Sequence, residues 1–125
     1  MTVLDASALL ALLLKEPGHE VVAARLSGSL ISAVNFSEVL SRLGRLRIPP
    51  SEASPRIAEL GITIVAFDKA QAIIAAEIRE VARAAGLGLA DCCCLALALS
   101  EQRPVLTADR AWKALGLEIE IALLR

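Results

Sequence analysis

The chain has 125 residues, of which 56% are hydrophobic and 22% charged, and its formal net charge is −1. This length fits one domain over residues 1–125, and the apolar content excludes a disordered chain, which is poor in apolar residues and rich in net charge. Aromatic residues make up only 2%, so the chain lacks an aromatic platform for base stacking. The net charge likewise provides no general attraction for nucleic acid.

No stretch of the sequence is typical of a membrane segment. The uninterrupted apolar run at 8–14 is shorter than the roughly 20 residues that a membrane span needs. The first residues form a strand-like segment and lack the basic leader of a signal peptide. We therefore expect a cytoplasmic protein with no membrane partner.

Short apolar runs alternate with helical patterns in the first half of the chain. Its predicted elements are a strand at 2–4, helices at 6–14 and 20–26, a strand at 30–32, and helices at 35–46 and 51–60. The spacing of Phe36, Val39, Leu40 and Leu43 predicts one buried helix face. The pair Pro49-Pro50 ends that helix, and Ser51 is the predicted N-cap of the next one.

The second half repeats this alternation. Its predicted elements are a strand at 62–65, a helix at 69–84, a turn at 86–88, a helix at 90–99, a strand at 104–107, a short helix at 110–114 and a strand at 118–123. The helix at 69–84 is expected to bury Ile73, Ile74, Ile78 and Val81. The helix at 90–99 is apolar on all sides, which indicates a central position.

The alternation of strands and helices predicts the fold class. Strands that are separated by helices join through right-handed crossovers into a mostly parallel sheet covered on both faces. We therefore predict an α/β fold, a three-layer α/β/α domain with a sheet of about five strands.

Three consecutive cysteines, Cys92, Cys93 and Cys94, lie in the apolar helix. Neighbouring residues on a helix point about 100° apart, so these thiols cannot share one tetrahedral metal ion. No distant cysteine is present for a disulfide framework. We interpret all three as packing residues of a protein in a reducing compartment.

Acidic residues follow two of the predicted strands and lie early in two of the predicted helices. Asp5 ends the first strand, and Asp109 comes just after the fourth. Open parallel sheets bind ligands outside the carboxyl ends of their strands. Asp91 and Glu38 can reach the same edge from the first turns of their helices, so we expect the four carboxylates to converge on one crevice.

Convergent carboxylates repel each other unless a cation lies among them. Oxygen ligands suit Mg²⁺ or Mn²⁺, and such an ion can activate water for attack on a phosphodiester. The helix N-termini at Asp91 and Glu38 would favour the ionised carboxylates. Taken singly, each of Asp5, Asp91 and Asp109 is better explained as an N-cap than as a metal ligand, and Glu38 alone is explained as an ordinary solvated helix residue. The four acids together, on this frame of strands and helices, favour a metal-binding site over unrelated caps.

Four segments together resemble the motifs of PIN-domain nucleases, specifically the VapC toxins of type II toxin–antitoxin pairs. They are VLDASA at 3–8, SAVNFSEV at 32–39, LAD at 89–91 followed by LALA at 95–98, and VLTADRAW at 105–112. Each motif is weak alone, but their order and spacing match over essentially the whole chain. The run Cys92-Cys93-Cys94 departs from the small or apolar residues usual in the family, and it leaves the acids intact.

The resemblance implies a metal-dependent endoribonuclease, using Mg²⁺ or Mn²⁺, that often acts on tRNA or other structured RNA. It also implies a sheet in the order 3-2-1-4-5, inhibition by a VapB-type antitoxin and, commonly, a homodimer. Carried over residue by residue, it makes Asp5, Glu38, Asp91 and Asp109 the catalytic acids and metal ligands. Ser7 and Thr107 match positions that support the acids, and Asn35 matches a polar position of the second motif.

Basic and apolar residues suggest how partners are bound. Lys15, Arg42, Arg45 and Arg47 are candidates for a basic rim that contacts RNA, although such residues also form ordinary solvated helix faces paired with glutamates. Five leucines crowd the helix at 6–14, more than one buried face requires. We expect a second copy or an antitoxin segment to cover some of this apolar surface.

Two alternatives come from other functional classes. An aspartyl phosphatase of the haloacid-dehalogenase type needs a second aspartate two residues after Asp5, where this chain has Ser7. A receiver domain needs an acceptor aspartate after a middle strand, and Asp68 is poorly placed for that role. The non-enzyme alternative is a catalytically idle PIN-like binding or regulatory module. Such a module is expected to have lost acids that this chain retains.

Overall fold

Five short strands form one parallel sheet in the order β3-β2-β1-β4-β5. The computed structural model describes all 125 residues. The strands are β1 (Val3–Leu4), β2 (Leu30–Ser32), β3 (Thr63–Val65), β4 (Val105–Thr107) and β5 (Ile121–Leu123). The predicted α/β class and the strand order implied by the family resemblance are both confirmed.

Helices connect the strands and cover both faces of the sheet. They are α1 (Ala6–Leu14), α2 (His19–Ala24), α3 (Ala33–Arg45), α4 (Pro50–Ala58), α5 (Lys69–Glu77), α6 (Arg79–Ala84) and α7 (Leu89–Glu101), with a 3₁₀ helix at Arg110–Ala114. None of them is long and apolar enough to cross a membrane.

Alternation along the central strands divides the core into two halves. Val3 and Val105 face one cluster, which α5, α6 and α7 complete. The next residues, Leu4 and Leu106, face the opposite cluster, which is formed with α1 to α4. Because successive side chains of a strand point to opposite faces, two-residue and three-residue strands suffice to build three layers.

Helix α7 is central, as its continuous apolar sequence predicts. Every residue from Cys92 to Ala98 is buried. The three cysteines are free, and the thiol of Cys94 lies 3.8 Å from the carbonyl oxygen of Leu4 in β1. Their interpretation as packing residues is confirmed.

Helix α4 begins earlier than predicted. Its N-cap is Pro49 and its first residue is Pro50, so the prediction of Ser51 as N-cap is wrong. Proline suits this position because the first turn of a helix needs no N–H donor and the ring presets a helical φ. The proline pair therefore starts α4, whereas α3 ends earlier, at Arg45, where the chain turns through the left-handed conformation of Arg47.

The predicted helix at 69–84 is two helices, and its buried face differs from the prediction. The chain turns at Ile78, between α5 and α6. Ala75, Ile78 and Ala82 are buried, whereas Ile73 is 51% and Val81 40% exposed. The prediction is therefore confirmed for Ile78 and for Ile74, which packs against the core, and it is wrong for Ile73 and Val81. The smaller Ala75 and Ala82 complete the buried face.

Candidate active site

All four predicted acids line one crevice, with a volume of about 350 Å³, at the carboxyl ends of β1 and β4. Asp5 and Asp109 come from the two strand ends. Glu38 projects from α3 and Asp91 from the first turn of α7. The crossovers of the sheet thus bring distant parts of the sequence to a single place.

Asp5 is the most buried of the four, at 5% exposed. Its Oδ2 accepts hydrogen bonds from the hydroxyl of Ser7 at 2.7 Å and from that of Thr107 at 2.9 Å. Although Asp5 stands at the N-cap position of α1, its side chain makes no cap hydrogen bond. The carboxylate is therefore held by side chains, and Oδ1 receives neither hydroxyl.

The same two hydroxyls connect β1 to the segment after β4. Ser7 Oγ accepts the N–H of Ala108 at 3.0 Å, and Thr107 Oγ1 accepts the N–H of Asp109 at 3.0 Å. Each hydroxyl thus donates to Asp5 and accepts from the chain that carries Asp109. This arrangement fixes the two acids relative to each other.

Asp109 is an N-cap, as predicted, whereas the prediction of Asp91 as an N-cap is wrong: it is the third residue of α7 and closes a capping box with the N-cap Gly88. Asp91 Oδ2 accepts the N–H of Gly88 at 3.0 Å, and Asp109 Oδ1 accepts the N–H of Ala111 at 3.0 Å. Each cap uses one carboxylate oxygen and leaves the other for the crevice. Capping and a role in the site are therefore compatible for these two residues.

Glu38 is held from its own helix. The side-chain amide of Asn35 donates to Glu38 Oε1 at 2.8 Å and to the carbonyl oxygen of Ala90 at 3.0 Å. Because α3 begins at Ala33, Glu38 lies in the second turn of the helix. The expected help from the helix N-terminus therefore does not reach it, since that effect is confined to the first turn.

Burial raises the pKa of two of the acids. The pKa of Asp5 rises from 3.8 to about 6, chiefly because the carboxylate is desolvated, and the nearby charge of Asp91 adds to the effect. The hydroxyls of Ser7 and Thr107 oppose it. Desolvation also raises the pKa of Asp91. The N–H of Gly88 at the start of α7 lowers this pKa, as expected of the helix N-terminus, but burial, helped by the charge of Asp109, outweighs it.

The donor set of the crevice fits a hard divalent cation. Its candidate ligands are all carboxylates, with no imidazole among the lining residues, and carboxylate oxygens are the ligands that Mg²⁺ and Mn²⁺ prefer. No three such groups stand close enough together to hold one ion directly. Ligation by this set therefore requires side-chain rotation or water between carboxylate and cation.

A second groove, of about 460 Å³, adjoins the crevice along α3 and is lined by Arg42, Arg45, Ser37 and Ser41. Arg42 and Glu38 line both cavities. Neither arginine forms a salt bridge, so the alternative of a helix face paired with glutamates does not apply to them. Lys15, at the C-cap of α1, and Arg47 line neither cavity.

Two charged residues that were not predicted also line the acidic crevice, Glu16 and Arg125. The guanidinium of Arg125 donates to the carbonyl oxygen of Pro17 at 2.6 Å. Gly18 is the available signal, because a Cβ atom at this residue would collide with the backbone of Leu124. A glycine at that turn permits close approach of another chain segment.

Comparison with protein families gives one match. The family model described as PIN domain matches residues 2–117. Among curated proteins, none matches the sequence significantly.

Several solved structures share the fold. A toxin–antitoxin complex from Klebsiella pneumoniae contains a chain with a TM-score of 0.80 and 18% identity, covering 100% of this chain and 98% of that one. For DNA-bound VapBC from Salmonella typhimurium the TM-score is 0.76 and the identity 18%, with 99% and 98% covered. For FitAcB from Neisseria gonorrhoeae the values are 0.68 and 22%, with 98% and 96% covered. At these identities the likeness establishes the fold alone.

Proposed function

The chain belongs to the PIN-domain family, and from that premise we propose that it is a metal-dependent endoribonuclease, the toxin of a VapBC-type toxin–antitoxin pair. One observation carries the proposal: Asp5, Glu38, Asp91 and Asp109 line a single crevice at the carboxyl ends of parallel strands. Several carboxylates in one partly buried crevice cost stability. Arg42 and Arg125 also line the crevice but form no salt bridge with them, so a bound cation would offset this cost.

The four acids would hold Mg²⁺ or Mn²⁺. A divalent ion at such a site supplies positive charge to the phosphate and activates water for attack on phosphorus. Asp5 would contribute Oδ1, because its Oδ2 accepts the hydroxyls of Ser7 and Thr107. No histidine or lysine lines the crevice, so a carboxylate is the group that takes the proton from the attacking water.

The groove along α3 is the proposed path of the RNA backbone. Arg42 and Arg45 line it with guanidinium groups that no carboxylate neutralises. Arginine recognises phosphate oxygens in a bidentate manner, and the hydroxyls of Ser37 and Ser41 add donors. Arg42 also lines the acidic crevice, so a strand bound in the groove continues directly to the catalytic acids.

An apolar cavity on the same side of the molecule supports an antitoxin partner. It has a volume of about 130 Å³ and is lined by Leu13, Leu14, Leu43, Ile48, Ala53, Arg56 and Ile57. Helices α1 and α3 line this cavity and the arginine groove alike. An apolar segment of a VapB-type antitoxin bound there would lie beside the RNA path. The similar structures include a toxin–antitoxin complex from Klebsiella pneumoniae.

We also infer a homodimer in the cytoplasm. The single chain leaves Ile73, Val81 and Leu89 exposed, at 51%, 40% and 62%. An interface that buries exposed apolar side chains of this size would favour association. Light scattering on the purified protein tests this inference, and a dilute, stable monomer without a partner would count against it.

The competing function is a binding module that lacks catalysis. A module without catalysis would have no need for the hydrogen bonds from hydroxyl and amide groups that hold Asp5 and Glu38 in the crevice. The intact set of acids and supports therefore favours the enzyme.

The metal requirement tests the proposal. Purified protein, freed of any partner, is incubated with cellular RNA, including tRNA, in Mg²⁺, in Mn²⁺ and in EDTA. We expect cleavage with either ion and none with EDTA. Equal cleavage in EDTA would refute metal dependence, and failure to bind Mn²⁺ in a titration would favour the idle module.

A further inference from the structure

We propose that Asn35 is a positioning residue that ties Glu38 to the first turn of α7 and so sets the distance between Glu38 and Asp91. This inference deepens the proposed function and rests on it. Asn35 lies on α3 one turn before Glu38, and it is fully buried. It does not line the crevice itself, so it acts through the residues that it contacts.

One nitrogen atom makes both connections. Asn35 Nδ2 donates to Glu38 Oε1 at 2.8 Å and to the carbonyl oxygen of Ala90 at 3.0 Å. Ala90 immediately precedes Asp91 in α7. The amide therefore spans the gap between two helices and holds one site acid beside the backbone that carries another.

The surroundings permit only one orientation of the amide. A flipped side chain would direct Oδ1 at a carboxylate and a carbonyl, which are both acceptors. In the observed orientation, Oδ1 is buried without a hydrogen-bond partner. A buried acceptor without a hydrogen-bond partner costs stability. The two hydrogen bonds that Asn35 donates must therefore offset the cost of its unpaired Oδ1.

Few side chains could replace this amide. Aspartate would set a second carboxylate against Glu38, and alanine would remove both donated hydrogen bonds. Serine has a single hydroxyl proton and can satisfy only one of the two acceptors. The geometry thus favours a short side chain with two donor hydrogens. A residue that only fills space would not need these donors.

Gln71 provides a matched control. It is also a buried helical amide, at 3% exposed, and it donates through Nε2 to the carbonyl oxygen of Ala66 at 3.1 Å. Its Oε1 is likewise without a partner. Gln71 donates one bond where Asn35 donates two, and it contacts no residue of the crevice, so Gln71→Ala removes a buried amide without touching the site.

The experiment measures Mn²⁺ affinity by calorimetry, the thermal midpoint, and kcat and KM for RNA cleavage. We expect Asn35→Ala to weaken Mn²⁺ binding by about 10-fold or more, as loss of a residue that orients a ligand does. We expect kcat to fall with KM little changed, and Asn35→Ser to lie between Asn35→Ala and the parent. Gln71→Ala should lower the thermal midpoint and leave Mn²⁺ affinity unchanged.

A double-mutant cycle separates positioning from general destabilisation. In a Glu38→Gln background, Asn35→Ala should weaken Mn²⁺ binding by less than about twofold, because the residue through which it acts is already disabled. An undiminished loss in that background, or an Asn35→Ala protein that binds Mn²⁺ like the parent, would overturn the inference. A parent that neither binds Mn²⁺ nor cleaves RNA would overturn the proposed function and this inference with it.

Discussion

The hydroxyl of Thr107 donates a hydrogen bond to Asp5 at 2.9 Å, joining the last residue of β4 to the acid that follows β1. The two residues are far apart in sequence, and only the pairing of β1 with β4 brings them together. Because Thr107 also accepts the N–H of Asp109, one hydroxyl connects two of the acids in the crevice. The parallel sheet therefore does more than place the acids at one edge, since its strand ends also bind them to each other.

Removal of that hydroxyl should disturb the site without disturbing the core. In Thr107→Val the pKa of Asp5 should rise further, because a hydrogen bond that favours the carboxylate is lost. RNA cleavage should fall by about 10-fold or more, as it does when a group that supports a ligand is removed. The carboxyl ¹³C shift of Asp5, followed by NMR against pH in the metal-free protein, reports the pKa directly.

Thr107→Ser is the control for that experiment, since it keeps the hydroxyl and removes only a methyl group. It should retain most of the activity and leave the pKa of Asp5 near 6. Equal losses in Thr107→Val and Thr107→Ser would show that packing, and not the hydrogen bond, is what matters at this position.

Asp5→Asn should stabilise the metal-free protein while it abolishes cleavage. The carboxyl has a pKa of about 6 in the folded protein against 3.8 as its ordinary value. At about 1.4 kcal/mol per pKa unit, the buried charge costs up to about 3 kcal/mol at neutral pH. Removing the charge removes this cost. Urea unfolding in EDTA at pH 7 measures the difference.

The sign of the pH dependence follows from the same shift. Below pH 3.8 Asp5 is protonated in both the folded and the unfolded chain, so it costs nothing. As the pH rises from 3.8 through about 6, the unfolded chain loses its proton first, and the contribution of Asp5 to stability falls. The advantage of Asp5→Asn over the parent should therefore grow across this range and be constant above it. An advantage that shrinks with rising pH would contradict the assigned burial.

Salt dependence tests the proposed RNA path. The slope of log K against log salt is about 0.7 per phosphate contact for single strands. Arg42→Gln and Arg45→Gln should each reduce the slope by about one such contact, because both residues line the groove and neither is paired.

Lys15→Gln provides a charge-matched comparison for the arginine variants, since Lys15 lines neither cavity. Its slope should equal that of the parent in filter-binding titrations between low and moderate salt. If Lys15→Gln reduced the slope as much as Arg42→Gln does, Lys15 would also contact RNA, and the groove along α3 would not be the specific path of the backbone.

The thiols should be almost unreactive in the folded protein. Cys92, Cys93 and Cys94 are all buried, and burial raises the pKa of Cys93 and, more strongly, of Cys94. Thiolates are the reactive form, so both access and ionisation are unfavourable. Ellman's reagent should modify the chain slowly in buffer and all three cysteines at once in denaturant. Rapid modification of the native protein would show that the cysteines of α7 are not buried in the core.

The order of elements and the convergence of the acids could be predicted, because both depend on local patterns. A strand that ends in Asp5 and one that is followed by Asp109 must meet at the same sheet edge once the sheet is parallel. The roles of Ser7 and Thr107 came from a family resemblance, and the structure now gives their contacts with Asp5.

What could not be predicted depends on packing between distant segments. Hydrophobicity alone favours Ile73 and Val81 for the buried face of α5 and α6, but Ala75 and Ala82 are buried there instead. The choice depends on how closely these helices pack on α7, which the sequence of one helix does not determine. Arg125 reaches the crevice through the course of the chain after β5, for which the sequence offers only the indirect signal of Gly18.

The most direct measurement compares Asp91→Asn with Asp68→Asn in RNA cleavage with Mg²⁺. Asp68 is the one aspartate outside the crevice; it caps α5 by accepting the N–H of Gln71 at 2.9 Å. Asparagine is an equally good cap, so that variant should cleave like the parent. Asp91→Asn should lose cleavage and bind Mn²⁺ weakly. Cleavage by Asp91→Asn at the parent's rate would contradict the assignment of the acidic crevice as a metal-dependent nuclease site.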